Sequence, residues 1–153
     1  MAVINITINW KKISQEITDS TILSDFLRNE LALTGTHVGC DTSQCGACVV
    51  HLNGNSIKSC TTLVADCNDS KITTIEGLAT NGKMHPMQEA FKKHHGLQCG
   101  FCTPGMVMSA IDLLQKNKNP SEEEIRDWLE GNICRCTGYQ GIVAAVKDAA
   151  TKM

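Results

Sequence analysis

The sequence predicts an α+β fold, with a small sheet and one helix followed by an all-helical half. Three observations carry this: period-two alternation at the N-terminus, helical periodicity beyond residue 77, and nine cysteines, eight of which fall into two sets of four.

The sheet half reads as follows. Ile4, Ile6 and Ile8 alternate with Val3, Asn5 and Thr7, the period of a half-buried strand. A second short strand is expected near Ile13 to Ile17. Asp19-Ser20-Thr21 offers a helix N-cap, with Ile22, Leu23, Phe26, Leu27 and Leu31 following at helical spacing and Gly35 as the stop. Val49 to Leu52 and then Asn53-Gly54 reads as a strand entering a tight hairpin. Lys71 to Ile75 is a further strand.

After Gly77, helices are expected at roughly 86–95, 104–116, 122–130 and 140–151. Ser121 and Glu124 form a capping box, and Thr103-Pro104 suits a cap followed by proline at the first helical position. A weak repeat of helix, paired cysteines and helix occurs twice. Two such hairpins would pack as a four-helix bundle with four thiolates at one end. The expected division is therefore residues 1–77 and residues 78–153.

Charge excludes some functions. The formal net charge is −2 without a Lys/Arg run, so the footprint of nucleic-acid binding is missing. No apolar stretch has the length of a membrane-spanning helix. Met1 to Asn5 does not resemble a secretory leader, so a cytoplasmic protein is expected. In a reducing compartment, nine cysteines point to metal or redox chemistry rather than disulfides. Aromatics make up only 4% of the chain, so metal binding would add needed folding energy.

The first cysteine set is Cys40-x4-Cys45-x2-Cys48 with Cys60 beyond, the plant-type ferredoxin spacing of a [2Fe–2S] cluster. Three ligands would come from one wrapping loop and the fourth from the far side of a hairpin. Gly39, Gly46 and Ala47 would let backbone N–H groups approach the sulfurs. The second set is Cys99-x2-Cys102 and Cys134-x-Cys136. Its thiolates sit just ahead of helix starts, where the helix dipole favours negative charge. A four-thiolate zinc site is the alternative, although zinc needs no x4-x2 loop and Cys134-x-Cys136 is tight for it. Cys67 belongs to neither set and reads as a small buried hydrophobe.

Three runs together, Gly39 to Cys48, Gln98 to Gly105 and Gly131 to Tyr139, resemble the iron–sulfur subunits or domains of the xanthine oxidase family of molybdenum hydroxylases. The resemblance covers essentially the whole chain. It implies an N-terminal β-grasp ferredoxin-like [2Fe–2S] domain and a C-terminal helical [2Fe–2S] domain. It implies a large partner subunit binding molybdopterin cytosine dinucleotide, a medium subunit binding FAD, and a dimer of heterotrimers. The chain would conduct electrons released by hydroxylation at molybdenum and would contain no catalytic residue of its own. Gln98 and Cys136 carry over as pterin neighbours. Cys40-Asp41-Thr42-Ser43 and His94 to Cys99 look most like small subunits of the carbon monoxide dehydrogenase type. Aldehyde or N-heterocycle (nicotinate, isoquinoline or xanthine-like) dehydrogenases are the alternative. A free ferredoxin-like carrier and a zinc module are remoter ones. The first hairpin departs from relatives, reading Asn9-Trp10-Lys11-Lys12 where Asn-Gly is common.

No glycine-rich phosphate loop or G-x-S-x-G elbow is present. His94-His95 reads as a solvated pair at a helix end. Arg135 would either tune a cluster or pair with a carboxylate. Trp10 and Trp128 read as packing or interface residues, and Glu122 to Glu124 as first-turn carboxylates favoured by the helix dipole.

Overall fold

The computed structural model describes residues 1–153. β1 (Ala2–Ile8) and β2 (Lys11–Ile17) form an antiparallel hairpin in which Ile4, Ile6 and Ile8 are buried and Val3 is exposed, as the alternation predicts. β3 (Val49–Leu52) and β4 (Asn55–Lys58) form a second hairpin through Asn53 and Gly54, both at positive φ. β5 (Lys71–Thr73) lies between the hairpins, parallel to β1 and antiparallel to β3, giving a five-stranded mixed sheet of order β2-β1-β5-β3-β4.

The first hairpin turns on Asn9 and Trp10, both left-handed, a conformation that usually favours glycine. Asn9 earns the position by bridging to the end of β5. Its Oδ1 accepts from Thr74 N at 2.9 Å, and its Nδ2 donates to Thr74 Oγ1 at 2.8 Å. Trp10 stays 79% exposed.

The expected helix after residue 21 is shorter and wider. α1 (Leu23–Asp25) passes directly into a π-turn at Phe26–Glu30. Asp19-Ser20-Thr21 does not cap it. Leu23 N instead donates to Thr62 O at 2.8 Å, and Ile22 pairs with Leu63 as an isolated bridge. A cross-chain carbonyl thus satisfies the amide that a side-chain cap would have served. The helix ends before Gly35, with Ala32 at positive φ.

In the second half, α2 (Pro86–Lys93), α3 (Thr103–Lys116), α4 (Glu122–Trp128) and α5 (Gln140–Ala150) follow the periodicity closely. The Ser121–Glu124 capping box forms in both directions. Thr103 is not a cap. Cys102 holds the cap position, and Thr103 is already helical. α2 packs on α3 and α5, and α4 on α3 and α5, closing a ring around Met87, Phe91, Met106, Leu114, Ile125 and Val146. The sheet half has its own core, built on Ile4, Phe26, Leu27, Val50 and Ile72. Cys67 lies in that core, fully buried, as its lack of a partner predicts. No helix is long and apolar enough to cross a membrane.

The halves meet where β3 and β4 lie on α3. Buried His51 donates from Nε2 to Met108 O at 2.7 Å, which sets its tautomer. Asp112 accepts from Ser56 N at 3.0 Å, from the Ser56 hydroxyl, and from Lys116 Nζ at 3.0 Å. Burial raises the carboxyl's pKa, but the Ser56 hydroxyl, Lys116 and the Ser56 amide outweigh it and hold Asp112 below its usual 3.8. A depressed carboxylate stabilises the fold above its unfolded pKa and loses that contribution as pH falls through the folded one. The thermal stability advantage of wild type over Asp112→Asn is therefore expected to stay constant near neutrality and shrink only below about pH 4. An advantage independent of pH down to acid unfolding would contradict this role.

Candidate metal centres

The β3–β4 register builds half of the first centre. Pairing of Val49 with Lys58 leaves Cys48 and Cys60 side by side just beyond the ladder. The Ser59 hydroxyl locks this end by donating to Cys48 O at 2.7 Å. Cys40 and Cys45 lie on the loop leading into β3. Cys45 N points at Cys40 Sγ at 3.4 Å, and Ala47 N at Cys45 Sγ at 3.5 Å. The Lys58 ammonium clamps the loop through Ser43 O. Ala47 thus donates to a sulfur as its small side chain suggests. Gly46 serves another purpose, facing the helical half.

The second centre is built by helix starts. Cys102 caps α3, and Cys134 and Cys136 shortly precede α5. Phe101 N approaches Cys99 Sγ at 3.5 Å and Thr137 N approaches Cys134 Sγ at 3.4 Å, with Thr137 Oγ1 at 3.0 Å from the same sulfur. Tyr139, left-handed at φ 69°, turns the chain into α5. Its hydroxyl accepts from Cys134 N at 2.8 Å and donates to Asn132 O at 3.3 Å.

Within each set the thiols act on one another. Cys60 lies within reach of Cys48, Cys40 and Cys45, and Cys102 within reach of Cys134 and Cys99. No three His, Cys, Asp or Glu side chains close around a point suited to one metal ion. Four free thiols per set match the donor demand of a two-iron cluster. A second observation fits the same group. The Thr103 hydroxyl, next to Cys102, is buried with no protein partner, leaving a donor for a cluster sulfur.

Electrostatics shows how crowded the sets are. Burial first, then the neighbouring thiols of Cys48, Cys40 and Cys45, pushes Cys60 up to about 11. Burial and then Cys134 and Cys99 push Cys102 up to about 12. Cys40 runs the other way, down to about 6, because the backbone amides of Cys45 and Thr42 point at its sulfur. Burial raises the Cys134 thiol, but hydrogen bonds from Thr137 outweigh it and bring the net value down.

Gln98 is exposed next to exposed Cys99, and Cys136 is exposed beside it across the pair. Leu97, Phe101 and Ile133 surround this end, each 39–51% exposed. His37 stacks on Phe101 with centroids 4.6 Å apart and bonds to Phe101 O at 2.7 Å. His37, Asn132 and the Thr137 hydroxyl escaped sequence reasoning. Of these only Thr137 carried a local signal, as a hydroxyl directly after Cys-x-Cys. Arg135 is exposed over a cleft reached by both sets. His94 is not a solvated residue, since its Nε2 sits 3.2 Å from Asp148, which also binds Lys93 and Lys152. Trp128 packs as expected, donating to Ser109 O at 2.9 Å beneath the Lys116 ammonium.

Two family models match the chain. A 2Fe-2S iron-sulfur cluster binding domain covers residues 6–74, and a [2Fe-2S] binding domain covers residues 74–147. The nicotine 6-hydroxylase small subunit of Paenarthrobacter nicotinovorans is 47% identical over 95% of this chain and 88% of its own length. The caffeine dehydrogenase subunit gamma of Pseudomonas sp. (strain CBB1) is 44% identical over 97% and 90%. The structure of quinoline 2-oxidoreductase from Pseudomonas putida 86 superposes with a TM-score of 0.94 at 39% identity, over 98% of this chain and 94% of that one. Aldehyde oxidoreductase from Desulfovibrio gigas also gives 0.94, at 45% identity, but this chain spans only 17% of it.

The thiol values predict an order of reactivity. In cluster-free protein at neutral pH, Cys40 is expected to be alkylated well ahead of Cys60 and Cys102, because the thiolate is the nucleophile. Timed alkylation with peptide mapping measures this. Cys60 or Cys102 reacting as fast as Cys40 would contradict the arrangement.

Proposed function

The chain belongs to the iron–sulfur small subunits of the xanthine oxidase family of molybdenum hydroxylases, and on that footing we propose that each cysteine set holds one [2Fe–2S] cluster. Cys40, Cys45, Cys48 and Cys60 hold the first, and Cys99, Cys102, Cys134 and Cys136 the second. The observation that carries this assignment is the aim of backbone N–H groups at the sulfurs of both sets, each set lying within or at the edge of a matched 2Fe-2S domain. The chain is the electron-transfer part of an oxidoreductase complex and does not convert the substrate itself.

A bound [2Fe–2S] cluster supplies reversible one-electron chemistry. The chain's own residues fix where that happens. N–H and hydroxyl donors to sulfur stabilise added negative charge, and the starts of α3 and α5 do the same for the second site. Electrons enter at the second set, whose Cys99 and Cys136 are exposed, and leave from the first towards FAD or another acceptor. Gln98 and Cys136 contact molybdopterin cytosine dinucleotide in the large subunit. Their exposure at one end, within an apolar rim, supports that reading.

The names of the relatives favour an N-heterocycle or aldehyde as substrate of the complex. That reading takes precedence over the carbon monoxide type suggested by Cys40 to Ser43 and His94 to Cys99. Separate cores support a β-grasp ferredoxin-like domain at 1–77 and a four-helix bundle at 78–153. We place the assembly, a dimer of heterotrimers with an FAD-binding medium subunit, in the cytoplasm, where a reducing milieu keeps eight thiolates available to iron.

Two outcomes test the assignment. Cys67→Ser is expected to keep all the iron and inorganic sulfide of the wild type, while losing about 1–3 kcal/mol of stability to a hydroxyl in an apolar core. Loss of iron on elemental analysis would overturn the ligand sets. Gln98→Ala is expected to leave both clusters spectroscopically intact and the complex assembled, since one hydrogen bond is worth about 0.5–1.5 kcal/mol. Rapid mixing with substrate should nonetheless show slower cluster reduction. An unchanged rate, where reduction limits the signal, would overturn its role.

A further inference from the structure

His37 belongs to neither cysteine set, yet it reaches from the sheet half to the loop between Cys99 and Cys102. Its ring stacks on Phe101 with centroids 4.6 Å apart and planes 20° apart. Its Nδ1 donates to Phe101 O at 2.7 Å, since a carbonyl can only accept. This is the only hydrogen bond between residues 97–101 and the sheet half. The rest of the loop is held from within. Phe101 N approaches Cys99 Sγ at 3.5 Å, and Thr103 N donates to Gly100 O at 3.3 Å. The chain reverses at Gly100, at φ +81°.

The segment that carries His37 is itself held firmly. Arg28 Nη1 donates to Thr34 O at 2.9 Å and to Thr36 O at 2.7 Å, and Gly35 N donates to Glu76 Oε1 at 2.7 Å. Thr36, directly before His37, is buried. A Cβ on Gly35 would overlap Ile75 and Glu76, so residues 34–36 lie flush against the chain leaving β5. Gly39 leaves room for the aromatic ring. A Cβ there would come 3.1 Å from Phe101 Cε1 and 3.3 Å from Cys45 Sγ. Phe101 thus rests on the His37 ring and on the Gly39 backbone.

We infer that His37 is a positioning residue for the second site: acting through Phe101, it fixes the Cys99–Cys102 loop so that the Phe101 N–H stays aimed at Cys99 Sγ. This rests on the two-cluster reading above. Phe101 gives one backbone group to each side. Its carbonyl accepts from His37, and its amide serves the sulfur. With the carbonyl pinned and the ring stacked, the residue has little freedom to turn its amide away. An N–H donor to a ligating sulfur stabilises the added negative charge of the reduced form and so raises the potential. His37 therefore bears on the potential of a centre to which it contributes no ligand.

The test is a redox titration of the assembled complex followed by electron paramagnetic resonance, which reads the two centres separately. His37→Ala is expected to lower the midpoint potential of the second centre. The first centre should stay near its wild-type value, because its sulfurs take their N–H donors from their own loop. Hydrogen exchange of the peptide spanning Cys99 to Cys102 should be faster in the same variant. His37→Asn keeps an N–H donor at the place of Nδ1 and should restore most of the potential. His37→Phe keeps the stack without the donor and should not. These two decide the matter if His37→Ala does not fold. An unchanged potential, or an equal fall at both centres, in a variant with full iron and sulfide would overturn the positioning role and leave the cluster reading intact. Restoration by His37→Phe and not by His37→Asn would overturn it as well. Wild-type complex with fewer than two clusters per chain would instead overturn the reading beneath it.

Discussion

Neighbouring sulfurs repel one another as soon as they ionise, and this chain brings neighbouring sulfurs together in two sets. The rise of Cys60 to about 11 and of Cys102 to about 12 measures that crowding together with burial. Thiolates held so close need a cation between them, and the rest of the structure is arranged around that need. Backbone amides of the loop into β3 point at Cys40 and Cys45, the Thr137 amide and hydroxyl at Cys134, and the α3 and α5 starts lie behind the second set. A cluster bound at each set would add folding energy, which suits a chain with few aromatics and two modest cores.

The same constraint explains the contact between the halves. Two separate cores would allow the halves to move independently. Buried polar contacts oppose this: His51 to Met108 O, Asp112 to Ser56, and Asn132 to Gly46 O. A buried polar group left unpaired costs several times what its hydrogen bond returns in net stability, so such contacts resist separation more than their number suggests. These contacts hold the two halves, and with them the two cysteine sets, in one arrangement.

Much of this was legible in the residues. Period-two isoleucines placed β1, Asn53-Gly54 placed the second hairpin, and Ser121 with Glu124 placed the start of α4. Cysteine spacing grouped the thiols that the fold brings together. Elements whose hydrogen bonds are made far along the chain were not legible. α1 lacks the expected cap because Thr62, some forty residues away, serves its first amide. Gly46 read as room for a sulfur, but what it makes room for is Gly131 and Asn132. The carboxylate that captures His94 comes from α5, and no local pattern near His94 announces it.

One chain carrying two distinct [2Fe–2S] centres has a spectroscopic consequence. Quantitative electron paramagnetic resonance of the fully reduced complex tests it most directly, because each reduced [2Fe–2S] cluster contributes one unpaired spin. Two resolvable spin-half signals integrating to two spins per chain are expected. A single signal integrating to one spin, or a silent protein containing zinc, would contradict it.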